Sequence, residues 1–577
     1  MSDERMIDVP EGRFAPWLME PMRRNKAIYG KVALAAVVIN IFALVTSLFT
    51  MVVYDRVVPN NATASLIALS IGLVIVIIFD FALKMLRAYF VDVAGARIDR
   101  EVGDAVFGKL LSIRLDQKRG STGALAAVVR ELETLRDFFA SATLTAIVDV
   151  PFLVITLAVI AIIGGPVVFV PLLLIPVVVV AGLLTQPAMD RLSAQMMGEG
   201  LLKQSVLVET IGGLETVKSS GAAPIVTRRW HRAMEDHSLT SLRQRLVANI
   251  GITIAGSAQM LAYAGVVVVG VGRIASQDLT MGGLIACSIL GGRAVAPLGQ
   301  IAQLLSRMTS TRTAYRQLNG LMKSPSEGPV GEPLVITRTE GKIEFRNVHF
   351  RYPGASEKAL EGVSFTINPG EHVALLGRVG SGKSTIARLI LNLYEPEEGV
   401  ILLDGTDIRQ LDPADLRRRV GSAMQEVTLL SGTVRENIAL ERQWVDDEEM
   451  VRAADLSGTH QFIGAIANGY DRRLADRGEG LSGGQRQSIA IARALAGNPP
   501  VVLFDEPSSA MDQQTEGALL DRLEKELEGR TFLVITHRTP FLRLVKRVII
   551  VDRGKIVADG PRDQVMQKLS RPKVAAL

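Results

Sequence analysis

The chain has 577 residues, 48% of them apolar, with a formal net charge of +5 and one cysteine. That length exceeds a single core, so two or more domains are expected, and a mean hydropathy of +0.28 concentrated in the first 305 residues indicates a membrane protein. The lone Cys287 excludes an intrachain disulfide, a zinc site and cysteine-peptidase chemistry in the soluble regions; basic residues set in blocks between apolar runs read as membrane topology, and no nucleic-acid partner is expected.

Residues 1–30 mix both charges with Pro10, Pro16 and Pro21 and are expected to be a cytosolic segment. The first apolar run has no small-residue cleavage site after it, so no removed signal peptide is expected. Uncharged or nearly uncharged runs follow at 32–53, 64–83, 140–163, 165–185, 247–272 and 279–305. Each is close to the roughly 20 residues that cross a bilayer as a helix, which predicts six spans in a helical domain over 31–322. Lys and Arg number ten in 84–137 and eight in 186–246, against one in 54–63, none in 164–166 and one in 273–278. Basic loops stay in the cytosol, so both termini are expected there. The two long loops repeat Leu, Val and Ala among charges, as amphipathic helices that extend the spans do. Arg119–Gly123 and Ser219–Pro224 break that pattern, and a turn with a short transverse helix is expected at each. Asp80, Asp149 and Arg293 are the ionisable groups at membrane depth; Arg293 is expected to face the interior or to pair with Asp149.

Composition changes over 323–341, where Lys323–Pro333 is rich in Pro, Gly and Ser, and this segment reads as a linker. From 342 to 577 strands and helices alternate, with strands expected at 343–352, 364–367, 400–403, 501–504, 531–535 and 548–551, so an α/β nucleotide-binding domain is predicted. After the apolar Val373–Leu376, the run Gly377-Arg378-Val379-Gly380-Ser381-Gly382-Lys383-Ser384-Thr385 opens a helix. A glycine-rich turn between strand and helix lets successive N–H groups surround phosphate, with the helix N-terminus facing the charge; it is a P-loop. Lys383 is expected on the β- and γ-phosphates of ATP and Ser384 on Mg²⁺. Val501–Phe504 ends in Asp505 and Glu506, which suit a Mg²⁺-holding carboxylate and the general base for an attacking water. His537, after the strand at 531–535, is expected to reach the γ-phosphate. Leu481-Ser482-Gly483-Gly484-Gln485 starts another helix whose small residues can face an anion.

The P-loop, Gln425, Leu481–Gln485, the acidic strand, Ser509-Ala510-Met511-Asp512 and His537, in this order, resemble the nucleotide-binding domain of ATP-binding cassette (ABC) transporters over about 235 residues. That resemblance implies that Tyr352 stacks on adenine, that Gln425 senses Mg²⁺ and the membrane domain, and that Asp512 bridges to a partner subunit. It also implies that Ser482 and Gly484 clamp ATP bound to the other subunit, so a chain with one copy of each motif acts as a homodimer. Six spans followed by an ATPase look like an exporter half-transporter, with the two loop breaks as coupling helices. Tyr54-Asp55-Arg56-Val57-Val58-Pro59-Asn60, Gly377–Gly380 and Arg477-Gly478-Glu479-Gly480 resemble type I secretion ATPases. Such proteins export unfolded, commonly glycine-rich calcium-binding cargo with a membrane-fusion adaptor and an outer-membrane channel. Two departures stand out: 30 residues are too few for the peptidase-like domain that many relatives carry before the first span, and the family's Gly-Glu-Arg-Gly reads Ala475-Asp476-Arg477-Gly478. The alternatives are a lipid or small-molecule exporter of the same architecture and a nucleotide-gated channel or regulatory module; Glu506 and His537 argue against the last.

Overall fold

The computed structural model describes residues 14–117, 122–140, 142–329, 331–466 and 468–570. They form two compact units: one runs to Ser112 and resumes from Arg119 to Ser324, and the other joins Ile113–Lys118 to Pro325 and beyond.

The first unit is helical. Its long helices are Lys26–Val52, Thr63–Ser112, Ala142–Gly164, Phe169–Gly212, Ala223–Ala275 and Met281–Met322, and each of the six expected spans overlaps one of them over most of its length. Among the described residues four helical stretches are long and apolar enough to cross a membrane: Lys26–Asn60, Thr63–Ser112, Pro151–Gly212 and Ala223–Ala275; Met281–Ala296 is a shorter apolar stretch. The third holds two expected spans. Its 62 residues correspond to roughly 90 Å of helix, about three bilayer cores, and it is broken at Gly165–Val168, where Gly165 takes a φ of +57°. Along the C-terminal half of Ala223–Ala275 the buried positions are Gly251, Ala255, Ala258, Ala262, Val266 and Gly270, three or four apart. Small side chains on one stripe let this helix lie close against Phe169–Gly212 and Met281–Met322; a Cβ on Gly270 would meet Leu284 Cδ1 at 2.3 Å.

The first helix ends in a wider π turn, Val53–Val57, which carries the Asp55 carboxylate toward the start of Met281–Met322. There Asp55 accepts from the Thr280 hydroxyl at 2.7 Å and the Gly282 N–H at 2.8 Å, while Thr280 itself caps Gly283 N–H at 3.0 Å. The same two helices are tied again by Arg293, whose guanidinium donates to the Ala43 carbonyl. Arg293 thus takes a backbone oxygen; the side chain of Asp149, the other partner expected for it, lies outside the described residues. Of the two expected loop breaks, Arg119–Gly123 falls largely outside the described residues, whereas the other is a short helix, Leu214–Ser219, followed by a turn with Gly221 at φ +65°.

The described residues of the second unit form two main sheets and a two-stranded ribbon of Gly432–Thr433 and Arg473–Leu474. Strands β1 (Ile343–Phe350), β2 (Leu360–Ile367), β3 (His372–Leu376), β4 (Glu398–Leu403), β5 (Thr406–Asp407), β6 (Val420–Ala423), β7 (Gly432–Thr433), β8 (Arg473–Leu474), β9 (Val501–Asp505), β10 (Thr531–Ile535), β11 (Arg547–Asp552) and β12 (Lys555–Pro561) follow in chain order. The larger sheet has the order β12-β11-β3-β10-β9-β6, parallel except for the β11–β12 hairpin; β2-β1-β4-β5 form an antiparallel sheet. The central strands are buried on both faces, as parallel strands are. Ala374, Val502, Phe504, Phe532 and Val534 pack with the Gly483–Leu495 and Gln513–Glu526 helices. Their neighbours Val373, Leu375, Val501, Leu503, Leu533 and Ile535 pack with the Lys383–Ile390 helix and the second sheet. The period of two thus splits one sheet between two cores and leaves its C-terminal edge, after β3, β9 and β10, as the place where loops meet.

Within this unit Ile113–Lys118 is held by Arg114, which pairs with Asp116 at 2.6 Å and Glu395 at 2.8 Å and whose N–H reaches the Pro325 carbonyl.

Candidate functional site

The P-loop leaves β3 through three glycines in the left-handed region, Gly377 at φ +155°, Gly380 at +78° and Gly382 at +104°. They are glycine for two different reasons. A Cβ on Gly377 would lie 2.0 Å from the Val551 carbonyl and one on Gly382 2.7 Å from the Ala359 carbonyl, so these two seat the loop on its neighbours. Gly380 faces open space, where only its conformation and the approach of a ligand matter. Lys383, at the start of the Lys383–Ile390 helix, folds its Nζ back to the carbonyls of Gly377 at 2.9 Å and Arg378 at 2.8 Å. Burial lowers its pKa, with the Glu506 and Asp505 carboxylates acting in the opposite direction.

All five residues of β9 are buried, and the strand delivers Asp505 and Glu506 to the edge beside this loop. Two strands of the same parallel sheet, β3 and β9, flank β10, with Ile535 in register with both Leu375 and Asp505. The Ser384 hydroxyl is hydrogen-bonded to Asp505, and burial raises the Asp505 pKa above the ordinary carboxylate value. Glu506 takes a φ of +50°, a strained conformation for a side chain with a Cβ, and is fixed by its N–H to the Ile535 carbonyl at 2.8 Å. Its Oε1 accepts from His537 Nδ1 at 2.9 Å, so the carboxylate on one strand end is oriented by the imidazole from the next. Three buried polar atoms here have no partner: Ser381 Oγ, Asp505 Oδ1 and Glu506 Oε2. Buried oxygens are normally satisfied, and a hydroxyl with two carboxylate oxygens at a helix N-terminus is the donor set of a hard cation with phosphate and a water, so these residues fit Mg²⁺ and a nucleotide.

The remaining expected residues take their own places. Ser482 is the N-cap of Gly483–Leu495 in a reciprocal box, Ser482 N–H to Gln485 Oε1 at 2.9 Å and Gln485 N–H to Ser482 Oγ at 3.2 Å, which leaves the hydroxyl proton free to donate. Asp512 caps Gln513–Glu526 through the Thr515 N–H at 2.8 Å, and that bond lowers its pKa. These two caps are neighbours in the chain fold: a Cβ on Gly484 would stand 3.0 Å from the Ala510 carbonyl and one on Gly483 3.0 Å from the Ala510 Cβ. Gln425 is exposed just past β6, on the same edge of the sheet as Asp505, because β6 pairs in parallel with β9. Tyr352 packs edge-on against Phe350 and Tyr394 at 4.9 and 5.3 Å, and its hydroxyl meets Thr385 Oγ1 at 3.1 Å and Arg388 Nη1 at 2.8 Å. Arg388 was not anticipated; its position one helical turn after Thr385 was the available signal.

Comparisons with known proteins agree with this layout. A family model described as ABC transporter transmembrane region matches residues 30–291, and one described as ABC transporter matches 360–509. The leukotoxin translocation ATP-binding protein LktB of Pasteurella haemolytica-like sp. (strain 5943B) is 33% identical over 96% of this chain and 78% of its own length. The toxin RTX-I translocation ATP-binding protein of Actinobacillus pleuropneumoniae is likewise 33% identical, over 95% of this chain and 78% of its own. In fold the chain is similar to a bacterial Atm1-family ABC exporter with ATP bound, at a TM-score of 0.84 and 23% identity over 95% of this chain and 96% of the other.

Proposed function

The chain belongs to the ABC transporter family, as an exporter half-transporter with a membrane domain and an ATPase, and we propose that two copies form the motor of a type I secretion system in a bacterial inner membrane. Toxin-translocation proteins at 33% identity over nearly the whole chain support an unfolded protein as cargo, and with it an adaptor and an outer-membrane channel as partners. The proposed domains are the membrane unit over 31–322, a linker over 323–341 and the ATPase over 342–577. Leu214–Ser219 and the segment around Arg119–Gly123 are the proposed coupling helices, with both termini cytosolic.

The observation that carries ATP hydrolysis is the Glu506–His537 pair beside the unpartnered oxygens of Asp505 and Glu506. Lys383 exchanges its two carbonyl partners for the β- and γ-phosphates, which is why its Nζ is already desolvated and aimed into the loop. Ser384 and Asp505 Oδ1 hold Mg²⁺, with Gln425 approaching from the same edge; the ion, when bound, neutralises charge developing on the phosphates. Glu506 Oε2 takes the proton of the attacking water while His537 Nδ1–H anchors Oε1, so the base presents one oxygen in one direction. Tyr352 and Thr385 border the base and phosphate ends of the ATP site, and Ser482, Gly483, Gly484, Gln485 and Asp512 act on ATP bound to the partner.

The test is export. Cells carrying this chain, an adaptor, an outer-membrane channel and a glycine-rich calcium-binding cargo should release cargo to the medium. Glu506→Gln should stop release and lower ATP turnover by roughly 10² to 10⁴ while nucleotide still binds. Wild-type ATPase rates in purified Glu506→Gln protein remove Glu506 from its role. ATPase stimulation by lipid but not by unfolded cargo transfers the protein to a lipid exporter.

A further inference from the structure

Past Glu506 the chain enters Ser508 and Ser509–Asp512, and three polar side chains that the catalytic reading leaves unused meet there. Ser508 is 1% and Glu516 4% exposed. The Ser508 hydroxyl donates to Glu516 Oε1, and Arg538 Nη1 donates to Glu516 Oε1 at 3.2 Å and to the Ser508 carbonyl at 2.8 Å. That carbonyl also receives Met511 N–H at 3.0 Å, and Arg538 N–H is held by Thr536 Oγ1 at 3.0 Å. A buried carboxylate with a charged partner and a hydroxyl is a stiff joint, because loss of either partner leaves it unsatisfied in a low dielectric.

What the joint connects gives it a role. Arg538 is the residue after His537; Glu516 is on the first turn of the helix that Asp512 caps; Ser508 is two residues after Glu506. The intervening Ala510 lies against Gly483 and Gly484. The segment therefore runs between the Glu506–His537 pair, which serves the ATP on this chain, and Ser482–Gly484, which serves the ATP on the partner.

We propose that Ser508, Glu516 and Arg538 are positioning residues that tie the two ATP sites together: engagement of Ser482–Gly484 with one nucleotide sets the Ser509–Asp512 segment, and through Glu516 and Arg538 sets His537 and Glu506 at the other. This rests on the reading of two composite sites in a dimer. None of the three touches the reacting atoms, so they act on turnover and on cooperativity between sites and leave the affinity for a single nucleotide alone.

The full-length protein in lipid nanodiscs tests it, with ATPase rate against ATP concentration, affinity for a fluorescent ATP analogue, and thermal melting. Wild type should be cooperative. Glu516→Gln and Arg538→Met should lower kcat about tenfold or more, as small misplacements of catalytic groups do, bring the Hill coefficient to one, and leave analogue affinity within about twofold. Arg538→Lys, which keeps a cation for Glu516, should restore part of both kcat and cooperativity. Variants as cooperative as wild type overturn the inference. Loss of analogue affinity and of melting temperature in all three variants, Arg538→Lys included, assigns the cluster to folding alone and overturns it too. A wild type with a Hill coefficient of one, and no ATP-dependent dimer in Glu506→Gln protein, overturns the two-site reading itself and this inference with it.

Discussion

Asp505 and Lys383 show how a site prepared for a charged ligand behaves without it. Burial raises the pKa of the carboxyl and lowers that of the amine, so each is held in surroundings that disfavour its charged form. A cation binds only ionised Asp505. Its hold is full above the raised pKa and weakens by about tenfold per pH unit below it, as the proton competes for the same oxygen. Mg²⁺-dependent binding of a fluorescent ATP analogue should therefore weaken as the pH falls from neutral, beginning above the range where an exposed aspartate takes up its proton. Asp505→Asn should bind weakly and without that slope. A wild-type Mg²⁺ dependence that stays flat as the pH falls would remove Asp505 from the cation site.

At the level of elements, what could be read from sequence was what is contiguous. The P-loop, Leu481–Gln485 and the strand into Asp505–Glu506 are each one strand-to-turn or turn-to-helix unit, so composition and order sufficed for them. The two-residue strands β5, β7 and β8 escaped, as did β6, four residues with Gly421 pressed against the Ala494 carbonyl, and β12, an edge strand of exposed and half-exposed residues. The Ser508, Glu516 and Arg538 cluster escaped because its members are 8 to 30 positions apart and only the fold joins them. Arg293 was singled out by the rarity of charge in a span, but nothing in a linear pattern names a backbone carbonyl as its partner. The glycines of the P-loop also separate at this scale. Gly380→Ala should fold with a loss of about 1 to 2 kcal/mol for its left-handed backbone and lose nucleotide affinity. Gly382→Ala adds a backbone clash at 2.7 Å and should melt lower than Gly380→Ala as well as failing to bind. Equal melting temperatures for the two variants would show that the segment at Ala359 moves freely aside.

For the whole molecule, the decisive expectation concerns which copy serves which ATP. If Ser482 acts on the partner's nucleotide, a mixed dimer of Ser482→Arg and Lys383→Ala chains has one site with both defects and one with neither. Purified by two affinity tags, it should hydrolyse ATP faster than either mutant homodimer. Background rates in all three dimers would mean that one intact site cannot fire alone, or that pairing is within the chain; nucleotide trapped by vanadate at one site per mixed dimer separates the two.

The membrership of Ile113–Lys118 in the ATPase unit has a mechanical meaning. The chain passes between its two units at Ser112–Ile113, at Lys118–Arg119 and again at Ser324–Pro325. A body hung on one tether transmits tension and swivels; a body fastened at separated points along the chain also transmits torque. With Arg114 fastened to Glu395 and to the Pro325 carbonyl, the second unit holds both the chain that leaves Thr63–Ser112 and the chain that leaves Met281–Met322. Cutting the linker within 331–341 leaves the Arg114–Glu395 and Glu327–Arg417 ion pairs in place, so the nicked protein should still elute as one particle, and Arg114→Ala combined with Glu327→Ala should let its two fragments part.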